Sequence, residues 1–252
     1  MQGKTQVVIL AAGHGKRMQS ELPKVLIPLH GKPIIAHVLD AVKNSGICDK
    51  LVVIVGQKRE LVMKTLGDGY EYIVQEEQLG TGHAVRTTEK FLKGQADHVM
   101  VLYGDHPYIS SKTIKNLMEK HLESGAKVTM ATVKLEDFLE WRSIFYTNFG
   151  RVVRNDAGEI SKIIEFKDAK NDEEKEIKEV NPSYFCFEAS WLWKNLENLK
   201  TDNAQKEYYL TDLVKIAMQE KVKIESVEIE AREALGVNSK SELEMLEKLV
   251  VE

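Results

Sequence analysis

The chain has 252 residues, which is enough for one large α/β domain or two small ones and for a substantial buried core. Hydrophobic residues make up 43% and charged residues 29%, as in a typical soluble globular protein, and the net charge of −4 gives no electrostatic reason to expect a nucleic-acid partner. No stretch approaches the ~18 uncharged apolar residues that predict a membrane span.

The first half of the sequence alternates short apolar runs with helical patterns. The apolar runs predict strands that are buried on both faces, because such strands are continuously apolar. In chain order we predict strand 6–10, helix 33–44, strand 51–55, helix 59–66, strand 70–75, helix 81–92, strand 99–103, helix 111–123 and strand 127–133. This alternation is typical of an α/β fold with a doubly wound, mostly parallel sheet.

The pattern changes after about residue 134. Here we predict strands at 151–154, 160–165 and 178–188, a helix over 208–220, a strand over 222–229 and an amphipathic helix over 239–250. We therefore predict one domain over 1–252. It has a nucleotide-binding part at about 1–134, a smaller β-rich lobe at about 135–230 and a C-terminal helix at 239–250.

The loop after the first strand is the strongest local signal for a ligand. The sequence Leu10-Ala11-Ala12-Gly13-His14-Gly15-Lys16-Arg17-Met18 supplies glycines, which let backbone N–H groups approach phosphate oxygens, and Lys24 follows a few residues later. Leu10 and Arg17 stand where a P-loop needs a glycine and a hydroxyl, and Met18 breaks the dinucleotide fingerprint. The loop therefore predicts a polyphosphate site of another kind.

Cysteine usage and the N-terminus indicate the cellular compartment. Cys48 and Cys186 are far apart and form no C-x-x-C motif, so we expect reduced thiols and no disulfide. The first residues enter a strand directly and lack the layout of a signal peptide. We expect a cytoplasmic protein with no membrane partner.

Seven motifs in order resemble those of the sugar-1-phosphate nucleotidyltransferases. Within that family they are most similar to the uridylyltransferase domains of bacterial bifunctional N-acetylglucosamine-1-phosphate uridylyltransferases, and the resemblance spans about the whole chain. The motifs are the first loop (10–18) followed by Leu22-Pro23-Lys24, the segment 75–84 (QEEQLGTGHA), 102–105 (LYGD), 149–151 (FGR), 165–169 (EFKDA), 207–212 (EYYLTD) and 236–238 (GVN).

The resemblance implies a reaction in which a sugar-1-phosphate oxygen attacks the α-phosphorus of UTP and pyrophosphate leaves. It implies a Rossmann-like fold of the nucleotide-diphospho-sugar transferase type, Mg²⁺ as cofactor, and UTP and a sugar-1-phosphate as ligands. The implied catalytic residues are Arg17, Lys24 and Asp105. Asp105 follows an apolar strand, where ligands of open α/β sheets collect, and a carboxylate there suits Mg²⁺. Asn238 is implied as the second metal ligand by the resemblance alone.

The resemblance also assigns residues to the nucleotide and to the sugar. Gln75 carries an amide donor and acceptor that match a uracil edge, and Gly80 and Thr81 complete the base-reading set. The implied nucleotide-binding residues are Leu10, Ala11, Ala12, Gly13, Lys24, Gln75, Gly80, Thr81, Tyr103 and Gly104. The implied sugar-binding residues are Gly150, Glu165 and Asn181.

Two departures from the family pattern lie beside the expected sugar site. The family has Gly-Tyr before the glycine of the fourth motif (149–151), where this chain has Asn148-Phe149. It has Thr-Gly after the sugar-binding asparagine, where this chain has Pro182-Ser183. They leave the sugar open, with N-acetylglucosamine-1-phosphate first and another sugar-1-phosphate, such as glucose-1-phosphate, or another nucleotide as alternatives.

Other function classes are less consistent with the sequence. A glycosyltransferase usually carries an Asp-x-Asp motif, and Gly104-Asp105-His106 supplies one carboxylate. A non-catalytic nucleotide-sugar binding protein is expected to have lost Arg17, Lys24 or Asp105. The bifunctional relatives continue into a left-handed β-helix acetyltransferase domain that is not in this sequence, so we expect no acetyltransferase activity. The oligomeric state, and whether the sequence is a natural single domain or part of a longer protein, stay open.

Overall fold

A computed structural model describes residues 3–13, 15–18 and 20–249. Its strands are β1 (Thr5–Ala11), β2 (Pro28–Leu29), β3 (Lys32–Pro33), β4 (Leu51–Val55), β5 (Glu71–Val74), β6 (His98–Tyr103), β7 (Val128–Lys134), β8 (Gly150–Arg154), β9 (Ile160–Ile164), β10 (Glu179–Asn181), β11 (Phe185–Glu188) and β12 (Ile224–Glu228). Its α-helices are α1 (Ile34–Ser45), α2 (Arg59–Leu66), α3 (Thr81–Arg86), α4 (Glu89–Leu92), α5 (Ser111–Ser124), α6 (Ile144–Asn148), α7 (Asp172–Lys175), α8 (Ala189–Leu196), α9 (Asp212–Gln219) and α10 (Lys240–Lys248). Short 3-10 turns include Lys16–Met18 and Lys24–Leu26.

Ten of the strands in the described residues form one sheet, in the order β5-β4-β1-β6-β11-β7-β10-β8-β9, with β12 paired to β7. The strands from β5 to β6 are parallel. Alternate residues of β1 enter two separate cores: Val7 and Ile9 pack with α1 and α5, and Val8 packs with α3 and α8. Helices therefore cover both faces, and the predicted α/β doubly wound arrangement is confirmed.

Beyond β6 the sheet is mixed. The pairings β6–β11, β11–β7, β7–β10, β10–β8 and β8–β9 are antiparallel, and only β12 runs parallel to its neighbour there. The hydrogen-bonded order continues from the predicted nucleotide-binding part into the predicted β-rich lobe. Because β11 and β12 join the central sheet, the lobe contributes to the main core as well as to its own hairpin.

The single strand predicted over 178–188 is two strands. Val180 lies opposite Val133 and Phe185 opposite Met130. The segment from Val180 to Phe185 therefore advances five residues while β7 advances three. The two extra residues, Pro182 and Ser183, leave the ladder, whereas the Tyr184 carbonyl still accepts from Ala131 N at 3.0 Å; Ser183 adopts a left-handed φ of +63°. Asn181, the last residue of β10, and Ser183, in the interruption, both line a pocket described below.

Two predicted helices are shorter than expected. The helix predicted over 81–92 is split because the hydroxyls of Thr87 and Thr88 bond the carbonyls of Ala84 and Val85, which competes with regular helical pairing. The helix predicted over 208–220 begins only at Asp212. Residues 208–210 are instead held against the start of α3, where Gly82 N donates to the Tyr208 carbonyl at 2.8 Å.

The C-terminal helix α10 spans Lys240–Lys248, and the last residue of the predicted range 239–250 lies outside the described residues. Ser239 caps its first turn by accepting from Glu242 N, and Leu246 is fully buried. The Tyr108 hydroxyl donates to the Leu246 carbonyl at 2.6 Å, which ties α10 to the segment after β6. Among the described helices, each falls short of the length and apolarity that crossing a membrane requires.

Candidate active site

The site forms where β1 and β6 end side by side. Gly104 N donates to the Leu10 carbonyl at 3.0 Å, so the loop after β1 and the segment after β6 leave the sheet together. Val237 N donates to the Asp105 carbonyl at 2.9 Å and brings the segment 236–238 to the same place. The chain thus unites residues that are more than 200 positions apart in the sequence.

Lys24 lies at the centre of this junction. Pro23 precedes it, and the buried Val25 and Leu26 anchor its 3-10 turn. Its ammonium forms an ion pair with Asp105 Oδ2 and donates to Asn238 Oδ1 at 2.9 Å. Its side chain is 12% exposed and that of Asp105 is 11% exposed, so the pair is largely shielded from water.

The carboxyl of Asp105 is ionised in this environment. Burial by itself raises its pKa, but the positive charge of Lys24, the charge of His106 and the hydrogen bond from Lys24 outweigh burial and lower the pKa below its ordinary value. The His106 ring is held by a hydrogen bond between its Nδ1 and the Tyr184 hydroxyl, which itself donates to the Glu233 carbonyl. Because the Tyr184 hydroxyl proton is donated to the Glu233 carbonyl, the Tyr184 oxygen accepts the hydrogen bond from His106, and His106 Nδ1 is the donor.

The oxygens of Asp105 and Asn238 fit a hard cation such as Mg²⁺. Both point at one positive group, the Lys24 ammonium, so they already converge on a single cation. Carboxylate and amide oxygens are ligands that Mg²⁺ accepts, and it usually takes one or two protein groups beside water and phosphate. Among residues 3–13, 15–18 and 20–249, no group of three or more His, Cys, Asp or Glu side chains is placed to hold a metal.

One pocket at the junction gathers most of the predicted nucleotide residues. Gln75 is 4% exposed, and its amide nitrogen donates to the Gly80 carbonyl at 3.2 Å and to His83 Nδ1 at 3.1 Å, which fixes the orientation of the amide. Of the predicted residues, those that line this pocket are Leu10, Ala11, Ala12, Gly13, Lys24, Gln75, Gly80, Thr81 and Tyr103.

Two predicted residues lie elsewhere. Gly104 packs behind the pocket, where an added Cβ would meet the Leu10 carbonyl at 3.2 Å and the Ile35 side chain at 3.3 Å. It therefore allows close backbone packing and does not line the pocket wall. Arg17 is exposed in the turn Lys16–Met18, outside the pocket linings found among the described residues.

A second pocket adjoins the first and gathers the predicted sugar residues Gly150, Glu165 and Asn181. The Thr211 hydroxyl donates to Glu165 Oε1 at 2.9 Å, and burial is the main cause that raises the pKa of Glu165. An added Cβ at Gly150 would lie 2.8 Å from Ile163 Cγ2 and 3.2 Å from Glu165 Oε1, so only glycine fits. The two pockets share the lining residues Thr81, Tyr103, Asp105, Glu207 and Asn238.

Asn181 has both ends of its side-chain amide bonded to Ser183. Asn181 Oδ1 accepts from Ser183 N at 2.8 Å, and Asn181 Nδ2 donates to Ser183 Oγ at 3.2 Å. Ser183 has a left-handed backbone conformation in this ring. The departure from the family pattern at this position therefore fixes the orientation of a predicted sugar-binding side chain.

Arg151 holds helix α6 and the residues after it, which contribute Asn148, Phe149 and Gly150 to the lining of the second pocket. Its guanidinium is buried and donates to the carbonyls of Phe145, Tyr146, Phe149 and Lys175. Burial lowers its pKa from the ordinary value. Arg151 therefore fixes residues 145–149 and so sets the position of Asn148 and Gly150.

Several pocket residues were not predicted. Glu207, Tyr209 and Thr211 line the second pocket because residues 208–210 extend along α3 before α9 begins. The motif at 207–212 was recognised in the sequence. Because a helix was predicted from residue 208, its contribution to the lining of the second pocket was not predicted. The departures from the family pattern, Asn148-Phe149 and Pro182-Ser183, line this pocket as expected from their positions beside the predicted sugar site, and only His106 and Gln205 carried no signal for it.

Comparisons with known proteins show the family to which the chain belongs. Residues 7–213 match the family model of the MobA-like NTP transferase domain. Proteins named bifunctional protein GlmU are similar: that of Brevibacillus brevis is 42% identical over 241 residues, covering 95% of this chain and 50% of its own length. That of Clostridium perfringens is 41% identical over 244 residues (96% and 51%), and that of Desulfotalea psychrophila 39% over 245 residues (96% and 69%). The chain spans about half the length of the first two relatives.

Solved structures share the fold at low sequence identity. A crystal structure from Bacillus anthracis, provisionally assigned as a glucose-1-phosphate thymidylyltransferase in complex with sucrose, matches with a TM-score of 0.74 at 19% identity and covers 96% of this chain and 94% of its own. A CMP:2-keto-3-deoxy-manno-octonic acid synthetase complexed with CTP matches with a TM-score of 0.67 at 18% identity, covering 97% of both chains.

From the family model and the sequence relatives, the chain belongs to the family of MobA-like NTP transferase domains and is related to bifunctional GlmU proteins.

Proposed function

We propose that this protein transfers UMP from UTP to N-acetylglucosamine-1-phosphate, giving UDP-N-acetylglucosamine and pyrophosphate, with Mg²⁺ as cofactor. The observation that carries the proposal is the position of Lys24. Its ammonium touches Asp105 and Asn238 where the two adjoining pockets meet. A nucleotide in the first pocket and a sugar phosphate in the second would bring their phosphates to this cation.

The reaction needs positioning and charge neutralisation more than covalent chemistry, because both substrates and the leaving group are anionic. Lys24 supplies a shielded point charge at the shared rim, and the backbone of residues 10–13 lines the first pocket beside it. Arg17 is assigned to the leaving pyrophosphate from the family resemblance. Its exposed position leaves it free to meet a group that departs toward solvent.

Asp105 and Asn238 are the residues that would hold Mg²⁺. The ion, when bound, supplies positive charge to the phosphate oxygens. The two side chains suit it because one oxygen is a carboxylate kept ionised by its neighbours and the other is a neutral amide.

Base and sugar are assigned to the two pockets in turn. Gln75, Gly80 and Thr81 are proposed to read uracil, since the amide of Gln75 is oriented by two hydrogen bonds and the glycine permits close approach. Gly150, Glu165 and Asn181 are proposed to bind the sugar. Asn148 and Ser183 line that pocket, where the family pattern differs, so glucose-1-phosphate or another sugar-1-phosphate is the second candidate acceptor.

The test is a panel of sugar-1-phosphates with UTP and Mg²⁺, with pyrophosphate release as the measurement. We expect N-acetylglucosamine-1-phosphate to give the highest kcat/KM. A higher kcat/KM with glucose-1-phosphate would replace the proposed acceptor and keep the reaction. Tight UTP binding without turnover on any acceptor would contradict the enzymatic proposal and favour a nucleotide-sugar binding protein.

A further inference from the structure

We propose that Glu242, on helix α10, is a positioning residue that couples the C-terminal helix to both pockets. It holds the backbone of Asn238, the proposed Mg²⁺ ligand, and the side chain of Asn148 in the wall of the sugar pocket. The inference rests on the proposed function. It adds a residue that touches none of the substrates and acts through two residues that line the site.

The geometry assigns one carboxylate oxygen to each partner. Glu242 Oε2 accepts from Asn238 N at 2.5 Å, and Glu242 Oε1 accepts from Asn148 Nδ2 at 3.0 Å. Both partners are donors, so both oxygens must accept. Only a carboxylate meets this need, because a glutamine side chain offers one accepting oxygen.

Helix capping alone does not account for these contacts. Ser239 caps α10 and Glu242 stands three residues later, which is the spacing of a capping box. In that motif the glutamate returns to the N–H of the capping residue itself. Here it reaches one residue further, to Asn238, and its second oxygen leaves the helix for Asn148 in α6.

The contacts complete a rigid frame around Asn238. Val237 N is bonded to the Asp105 carbonyl, the Asn238 side chain accepts from Lys24, and Glu242 holds the Asn238 backbone from the helix side. The buried Leu246 anchors α10 in turn. The separation of the Asp105 and Asn238 oxygens therefore depends on how α10 is docked.

The experiment compares Glu242→Ala and Glu242→Gln with Ser239→Ala in the full chain. Ser239→Ala is the matched control because it removes the helix cap and leaves both contacts of Glu242 in place. Binding of Mn²⁺ in the presence of UTP, followed by electron paramagnetic resonance, reports on the metal arm without turnover. The KM for N-acetylglucosamine-1-phosphate reports on the Asn148 arm.

We expect Glu242→Ala to weaken Mn²⁺ binding about 10-fold, as loss of groups that orient metal ligands commonly does, and to raise the KM for the sugar phosphate. Glu242→Gln keeps one acceptor, so its effect should be smaller on both measurements. Ser239→Ala should lower the melting temperature and leave Mn²⁺ binding and KM within about 2-fold of wild type.

Equal effects of Glu242→Ala and Ser239→Ala on Mn²⁺ binding and KM would overturn the positioning role, since both would then reflect helix fraying. If Glu242→Ala does not fold, the same comparison with Ser239→Ala is made with Glu242→Gln. Failure of the proposed function has a separate signature. The wild-type protein would bind UTP and Mn²⁺ without turnover, and the metal measurement would still decide the role of Glu242.

Discussion

Lys24 balances the charge of a largely buried group of polar residues. It is the cation that both lowers the pKa of Asp105 and orients Asn238. Removing one partner of a buried ion pair leaves the other charge uncompensated, which is costly. The effect of Lys24 on catalysis must therefore be measured with stability controlled.

We expect Lys24→Ala to lower kcat/KM for UTP by about 100-fold, the usual loss when one group that stabilises developing charge is removed. Steady-state kinetics with saturating sugar phosphate measure it. Lys32→Ala is the matched control, because Lys32 is an exposed cation paired with Asp40 on the surface. Unchanged kcat/KM for UTP in the Lys24 variant would remove this side chain from the nucleotide site.

The raised pKa of Glu165 makes the stability of the folded protein depend on pH. Burial raises its pKa and the hydrogen bond from Thr211 offsets this only in part. The folded state thus holds the proton more tightly than the unfolded state, and the resulting stability is present below the ordinary pKa of 4.5 and lost as pH rises through the raised value.

Glu165→Gln should therefore be more stable than wild type at pH 8, because glutamine carries no buried charge and still accepts from Thr211. The advantage should shrink as pH falls toward 4.5, where the wild-type carboxyl is protonated. Melting temperatures of both proteins across this range provide the measurement. A difference that does not vary with pH would show that burial does not perturb this carboxyl.

Ser183 has a strained, left-handed backbone and makes two hydrogen bonds that hold the side chain of Asn181. Its φ of +63° is a conformation that costs most residues about 1 kcal/mol and glycine little. Ser183→Gly and Ser183→Ala both lose the hydroxyl, so their difference isolates the strain. We expect the glycine variant to be more stable by about 1 kcal/mol in denaturant unfolding, and equal stability would contradict the left-handed conformation.

At the scale of elements, the contact between α3 and residues 208–210 aligns the two pockets. Gly82 N donates to the Tyr208 carbonyl, and Leu210 N donates to the Thr81 hydroxyl at 3.1 Å. Thr81 begins the helix beside the proposed nucleotide pocket, and the Thr211 hydroxyl donates to Glu165 in the proposed sugar pocket. A shift of α3 against this segment would move the base-reading residues relative to the sugar-binding ones.

A methyl group at Gly82 tests this packing. An added Cβ would lie 2.4 Å from Leu199 Cδ1 and 3.0 Å from the Tyr208 carbonyl, so we expect Gly82→Ala to cost about 1–3 kcal/mol of stability and to raise the KM for UTP. Gly69→Ala is the control, because an added Cβ there meets nothing within 4 Å. Identical behaviour of the two variants would contradict the close contact.

The elements that the sequence predicted well are those with strong local periodicity. The apolar runs of β1, β4 and β6 and the helix α5 follow from buried faces, and the doubly wound parallel core follows from the alternation of strands and helices. The break between Asn181 and Phe185 was missed because its cause is pairing with β7, which no local pattern reveals. The late start of α9 has the same origin, since residues 208–210 are held by α3.

At the scale of the whole molecule, the fold brings the N-terminal loop, the end of β6 and the segment before α10 to one point. Lys24 and Asp105 could be chosen from charge and position after a strand. Asn238 could not, because its sequence context indicates only a helix N-cap, which the structure places at Ser239, and its implied role came from the family resemblance. Glu242 and Asn148 likewise became visible only when α10 was placed against the sheet.

A crystal structure of the protein with UTP and Mg²⁺ would locate the nucleotide directly. We expect the uracil beside Gln75, the triphosphate between residues 10–13 and Lys24, and the metal held by Asp105 and Asn238. A nucleotide bound in another part of the molecule, or a metal that contacts neither Asp105 nor Asn238, would contradict the proposed site.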